Sequence, residues 1–235
     1  MAERANAAFA AGAVVVPLAA LAYALTVAPV RHHMYVHVMA GVLWTGTDLF
    51  MGLVLGPVLG SLDVGDRAEV FGRFTPKMTF LMPVLAVVTV FGGVTLAVRL
   101  GKFPHADPWI ALMSTAIVVP GLLLIASQFD ALSDLRALAV VGAAVVGHGV
   151  WLADVLPAFA MTSPEMIAAL VVVTLLSVLG FGVLLPGEVR MYRQLTSTNP
   201  NEEIISRIGM RNAKLSGVQG ALQLVIIAVM VYIRL

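Results

Sequence analysis

The run Arg31-His32-His33-Met34-Tyr35-Val36-His37-Val38-Met39-Ala40-Gly41-Val42-Leu43-Trp44-Thr45-Gly46-Thr47-Asp48 holds most of the side chains in this sequence that can do chemistry. Positions three and four apart share a helix face. That spacing places His33, His37, Gly41, Trp44 and Asp48 on one stripe. Two imidazoles, a gap, an indole and a carboxylate in line are costly against hydrocarbon, so the stripe is expected to face other helices. Gly41 and Gly46 would let a neighbouring helix or a flat ring approach closely. Neutral imidazole is a metal ligand, and the thioethers of Met34 and Met39 suit soft Cu(I). Each residue also has a plainer use. An imidazole can bond a backbone carbonyl, Trp44 and the methionines can simply pack, and Asp48 can pair with Lys77, Thr45 or Thr47.

A second imidazole at membrane depth is His148, in Val145-Val146-Gly147-His148-Gly149-Val150-Trp151. Glycines on both sides clear space for a bulky ligand, or for a neighbouring helix. Asp154 lies more than about 90° around the same helix and is a poor partner for it. His105, in Pro104-His105-Ala106-Asp107-Pro108, reads as a solvated loop residue. Further along, Ser216, Gln219 and Gln223 place amides one turn apart, as interhelical hydrogen bonds or as contacts to a quinone or porphyrin. Arg211, Asn212 and Lys214 are expected to anchor to lipid headgroups.

The elements that position these groups are membrane helices. The chain has 235 residues, 60% hydrophobic and 11% charged, against roughly half and a quarter for a soluble domain. No basic run of five or more residues exists, which sets nucleic-acid binding aside. There is no cysteine, so disulfides, zinc–thiolate sites, iron–sulfur clusters and thiolate ligation of haem or copper are excluded. A span needs about 20 apolar residues. The qualifying runs are 7–29, 34–60, 77–98, 108–127, 137–157, 164–186 and 214–233. The fold class is therefore an all-α, polytopic bundle of seven transmembrane helices, read as one domain over 1–235 with a retained first helix.

Lys and Arg set the orientation. Ten lie on the N-terminal side (Arg4, Arg67, Arg73, Lys77, Arg136, Arg190, Arg193, Arg207, Arg211 and Lys214) and four on the other (Arg31, Arg99, Lys102 and Arg234). The N-terminus is thus expected in the cytoplasm, in a multi-pass plasma-membrane protein. All five histidines then fall towards the outer face. The cytoplasmic loops 61–76 and 187–213 read as short surface helices, with starts at Asp66–Glu69 and Asn201–Glu203, because acids favour helix N-termini. Arg73-Phe74-Thr75-Pro76-Lys77 and Arg207-Ile208-Gly209-Met210-Arg211 follow spans ending at Gly56-Pro57 and Pro186-Gly187. This pattern reads as a parallel 3+1+3 repeat with halves 7–100 and 137–235.

The signature His37-x-x-Ala40-Gly41-x-x-Trp44-x-Gly46, followed by Arg73-Phe74-Thr75-Pro76-Lys77-Met78, resembles a broad family of small membrane proteins. That family includes HemJ-type protoporphyrinogen oxidases, CopD-type copper-resistance proteins and the membrane part of PuuD-type urate oxidases. The likeness covers about 34–100. It implies that His37 is an axial ligand to haem b. The second imidazole must come from elsewhere, and His148 is the only candidate at similar depth; Gly41 and Trp44 would then lie beside the cofactor, with Asp48 and Lys77 behind it. The seven spans, and Lys77 in place of a small residue, depart from the HemJ pattern.

Three functions follow as expectations. The first is a b-type haem protein transferring electrons, linked to quinol or to a partner subunit of a larger complex in the lipid membrane. In the second, His32, His33, Met34, His37 and Met39 form an outer copper site. The third is a structural or assembly subunit without a cofactor. A retinal protein is excluded, because the last span has no lysine beyond Lys214 at its mouth.

Overall fold

A computed structural model describes residues 2–233; Arg234, counted above for sidedness, lies outside them. The chain is 87% helical, with no strand among the described residues, and seven helices are long and apolar enough to cross a membrane. They are α1 (Ala7–Thr26), α2 (Val30–Gly60), α3 (Val64–Arg99), α4 (Ala106–Gln128), α5 (Leu135–Ala158), α6 (Pro164–Leu195) and α7 (Glu202–Ile233). Side chains cap several starts and so satisfy backbone N–H groups that no turn precedes. Asn6, Asp134, Ser163 and Asn201 accept from Ala8, Arg136, Met166 and Ile204 at 2.8 to 3.2 Å.

The two long loops are shorter than their polarity implies. α3 begins at Val64 and runs unbroken past Pro76 and Pro83. α7 begins at Glu202, and α6 continues to Leu195. The polar segments expected as separate surface helices are end turns of the spans themselves. Within them helix is interrupted at 61–63 and at 196–201, the latter holding Pro200, and the apolar residues on either side have a core to join. Leu59, Ala68, Phe71 and Ile205 are buried together there, with Leu55, Leu62, Val70, Leu195 and Met210 packed around them.

α2 and α6 share a backbone feature. Each contains a five-residue π-helical segment, Met51–Leu55 and Gly180–Leu184, that ends two residues before a proline. Proline has no N–H to return to the carbonyl four residues back. A π turn reaches five back instead, as Gly56 N–H does to Met51 O. Pro57 and Pro186 are thereby carried inside continuing helices rather than ending them.

The chain forms two compact units. The first comprises 1–96 and 184–221, the second 97–183 and 222–235. In the first, α2 and α7 meet backbone to backbone: a Cβ built on Gly52 would lie 2.2 Å from Gly217 Cα. In the second, α4 packs against α5 and α6, Trp109 Nε1–H donates to Ala160 O at 3.0 Å, and Gln128 donates to Gly182 O in the π segment at 2.7 Å. No residue of Leu135–Val155 is buried, so its valines and alanines are left for lipid or neighbouring chains.

Candidate functional site: imidazoles against a glycine pair

The stripe read from the sequence does face inward. His33, Trp44 and Asp48 are buried, and His37 and Gly41 are half-buried. The residues opposite belong to α3. His37 Nδ1 lies 2.9 Å from Thr89 O, and His33 Nε2 lies 3.0 Å from Gly92 O. A carbonyl can only accept, so each of these nitrogens carries its proton.

The two rings are consequently in opposite tautomers when neutral. His33 uses Nε2, the outer nitrogen, for its backbone bond; Thr95 Oγ1, which donates to Phe91 O, stands 3.4 Å from it. His37 uses Nδ1, and its outer Nε2 has no hydrogen-bond partner among the described residues. The ring sits against Gly93, where a Cβ would lie 2.6 Å from Cε1 and 3.4 Å from Nε2. Gly93→Ala is therefore expected to push the imidazole off Thr89 O. The check is loss of the His37 Nδ1–H hydrogen-bonded proton signal in NMR, in a chain that still folds.

Gly41 makes only ordinary contact, since its Cβ position is 3.4 Å from Thr89 Cγ2. Asp48 is fully buried, and its Oδ2 accepts from Gln219 Nε2 at 2.8 Å. Lys77 bonds Arg73 O at 3.2 Å, and Arg73 pairs with Glu69 one turn back. Thr47 bonds Leu43 O. A partner of Asp48 is thus an amide from α7, which competes better than Lys77 at that depth because a lysine ammonium prefers the wet end of its helix.

The proposed copper ligands point to different neighbours. His32 is exposed and bonds Tyr23 OH on α1 at 3.0 Å, while His33 and His37 turn to α3. Met34 is half-buried and Met39 is exposed. No group of three or more His, Asp or Glu side chains is assembled among the described residues. His105 is exposed in a left-handed conformation (φ 55°) at the start of α4.

His148, in the second unit, is half-buried. Its Nδ1–H donates to Ala144 O at 2.8 Å, and Ser114 Oγ lies 3.1 Å from Nε2. A Cβ on Gly147 or Gly149 would meet nothing within 4 Å, so the space those glycines clear is open. His148 thus shares the tautomer of His37, with a hydroxyl on the outer nitrogen.

One polar group escaped the sequence reading. Asn212 is buried rather than at the headgroups; its Nδ2 donates to Leu184 O at 3.1 Å and to Glu188 Oε1 at 3.3 Å. Glu188 lies beyond the last apolar residue of its span and was legible only as loop. The available signal was the apolar–polar periodicity of Leu185–Leu195, which keeps one face of α6 in the core. Comparison of the chain with family models, with curated proteins and with solved structures returns no match.

Proposed function

We propose that this chain is a multi-pass b-type haem protein that carries electrons within the plasma membrane. His37 and His148 are the axial imidazoles in this reading. The observation that carries it is His37, whose Nδ1–H is anchored on Thr89 O while Nε2 has no hydrogen-bond partner among the described residues. Metal-bound histidines characteristically hold this posture, because a bond from the second nitrogen fixes the tautomer and raises the basicity of the first. An unbonded imidazole nitrogen in a span is otherwise costly.

The donor set fits haem better than a bare metal ion. A protein-only copper or zinc site takes three or four side chains. Haem iron needs only one or two, since the macrocycle supplies the rest. When bound, the haem supplies one-electron redox chemistry. The protein's part is to hold Nε2 of His37 forward and to leave Gly93 bare beside the ring. His148 would have to exchange the Ser114 hydroxyl for the ligand.

The matched π segments of α2 and α6 support reading the chain as a parallel repeat. The small extramembrane mass supports work with quinol or a partner subunit.

Visible spectra of the purified protein, oxidised and dithionite-reduced, test the reading. We expect a Soret band and sharp α and β bands in the wild type. His37→Ala and His148→Ala should each lose this colour in proportion to the haem lost. A colourless protein with stoichiometric copper would replace the reading with the copper one. Full colour in both variants would remove the ligand assignment.

A further inference from the structure

We propose that Glu188 is a proton-binding site, at the Lys/Arg-rich end of the first unit, that takes up a proton on Oε2. The proposal goes beyond the haem reading and does not rest on it.

The site begins with the backbone. The π segment of α6 and Pro186-Gly187 deliver Glu188 into the helix bundle rather than to the loop. Asn212 of α7 crosses to this point, because Gly187 has no side chain to block it. A Cβ there would lie 2.7 Å from Asn212 Nδ2 and 2.8 Å from Oδ1. The amide clamps Leu184 O and Glu188 Oε1 together.

The second carboxyl oxygen is in a different situation. Oε2 is buried and has no hydrogen-bond partner among the described residues. Beside the carboxyl, α3 presents Thr75 and Thr79. Thr79 donates its hydrogen to Thr75 O at 2.9 Å, whereas the Thr75 hydroxyl makes only a long contact to Met191 Sδ at 4.0 Å. Among the described residues no charged side chain forms an ion pair with the carboxyl. On α7, Arg211 bonds Asn212 Oδ1 at 3.4 Å and lies near the like charge of Arg190 of α6. On α3, Lys77 is held by Arg73 O.

A carboxylate only accepts, and both oxygens need donors. Oε2 has none among the described residues, so the ionised form is left half-bonded at a buried atom. A proton on Oε2 reverses the requirement. The new O–H becomes a donor, and the hydroxyl oxygens of Thr75 and Thr79 are the acceptors beside it. The proton comes from water at the nearby polar end of the helices and returns there on release. One carboxylate and two hydroxyls are too few oxygens for a dehydrated metal cation. Ionisable groups inside membrane helices are characteristically parts of proton or ion paths.

Infrared spectroscopy of the whole protein in detergent tests this. We expect, at neutral pH, a protonated-carboxyl C=O stretch that shifts in D₂O, is lost as pH rises, and falls by one carboxyl per chain in Glu188→Gln. Thr75→Val should shift its frequency. Glu188→Gln mimics the protonated form, so it should fold with an unchanged melting temperature; failure to fold would count against the proposal. An unchanged carboxyl band in Glu188→Gln would overturn it. So would loss of the band at fixed pH when sodium chloride replaces choline chloride, which would make the ligand a metal cation.

Discussion

Gly52→Ala is expected to be the most damaging single-methyl addition in this protein, at about 3 kcal/mol, the upper part of the usual overpacking range. The new Cβ would lie 2.2 Å from Gly217 Cα and 2.6 Å from Gly217 N. Both are backbone atoms, so no rotamer change can relieve the clash; α2 and α7 must move apart. The site also lies within the π segment Met51–Leu55, whose register already accommodates Pro57. Small residues let membrane helices touch at their backbones, and that contact supplies the dispersion attraction that replaces a hydrophobic driving force in lipid. The reverse substitution is the control. A Cβ on Gly217 meets Gly52 Cα at 3.1 Å, a contact that a few tenths of an ångström would relax, so Gly217→Ala should cost about 1 kcal/mol. Reversible unfolding in mixed micelles measures both. Equal losses would show that the two helices do not cross as described.

Breaking the bond between Asp48 and Gln219 is the second large effect. Gln219 is 3% exposed, and among the described residues its side chain makes one hydrogen bond, 2.8 Å to Asp48 Oδ2. Asp48→Leu leaves that amide buried with no acceptor, at about 2 kcal/mol. Gln219→Leu removes a donor from a fully buried carboxyl, at a similar cost of about 2 kcal/mol. The double variant removes both demands at once. It should therefore be more stable than the sum of the single losses predicts, by about 1 to 1.5 kcal/mol, within the span measured for polar pairs between membrane helices. Additive losses would mean that the pair does not act as a unit.

Much of this architecture is legible in one dimension. Long apolar runs gave all seven helices, because a continuous apolar segment of about 20 residues satisfies its own backbone in a bilayer as a helix. The 3.6-residue period placed His33, His37, Trp44 and Asp48 on the inward face of α2. Asn201 was readable as the start of α7, since capping is a contact over three residues. The ends of the helices were less legible. Gly56-Pro57 and Pro186-Gly187 read as terminations, whereas the π segments carry the chain through them.

Periodicity names a face but not the residue opposite. That Asp48 meets Gln219, 171 positions away, and not Lys77, follows from how closely Gly52 and Gly217 let α2 approach α7. That His37 presents Nε2 while His33 spends it on Gly92 O depends on the register of α3 against α2. Glu188 acquired its surroundings only when α6 continued to Leu195 and Asn212 crossed to it. Local sequence determined which segments are helical and which side of each avoids lipid, because those choices depend on residues within a turn or two. Partners and tautomers were decided by tertiary structure, because a hydrogen bond is set by tenths of an ångström between helices far apart in the chain.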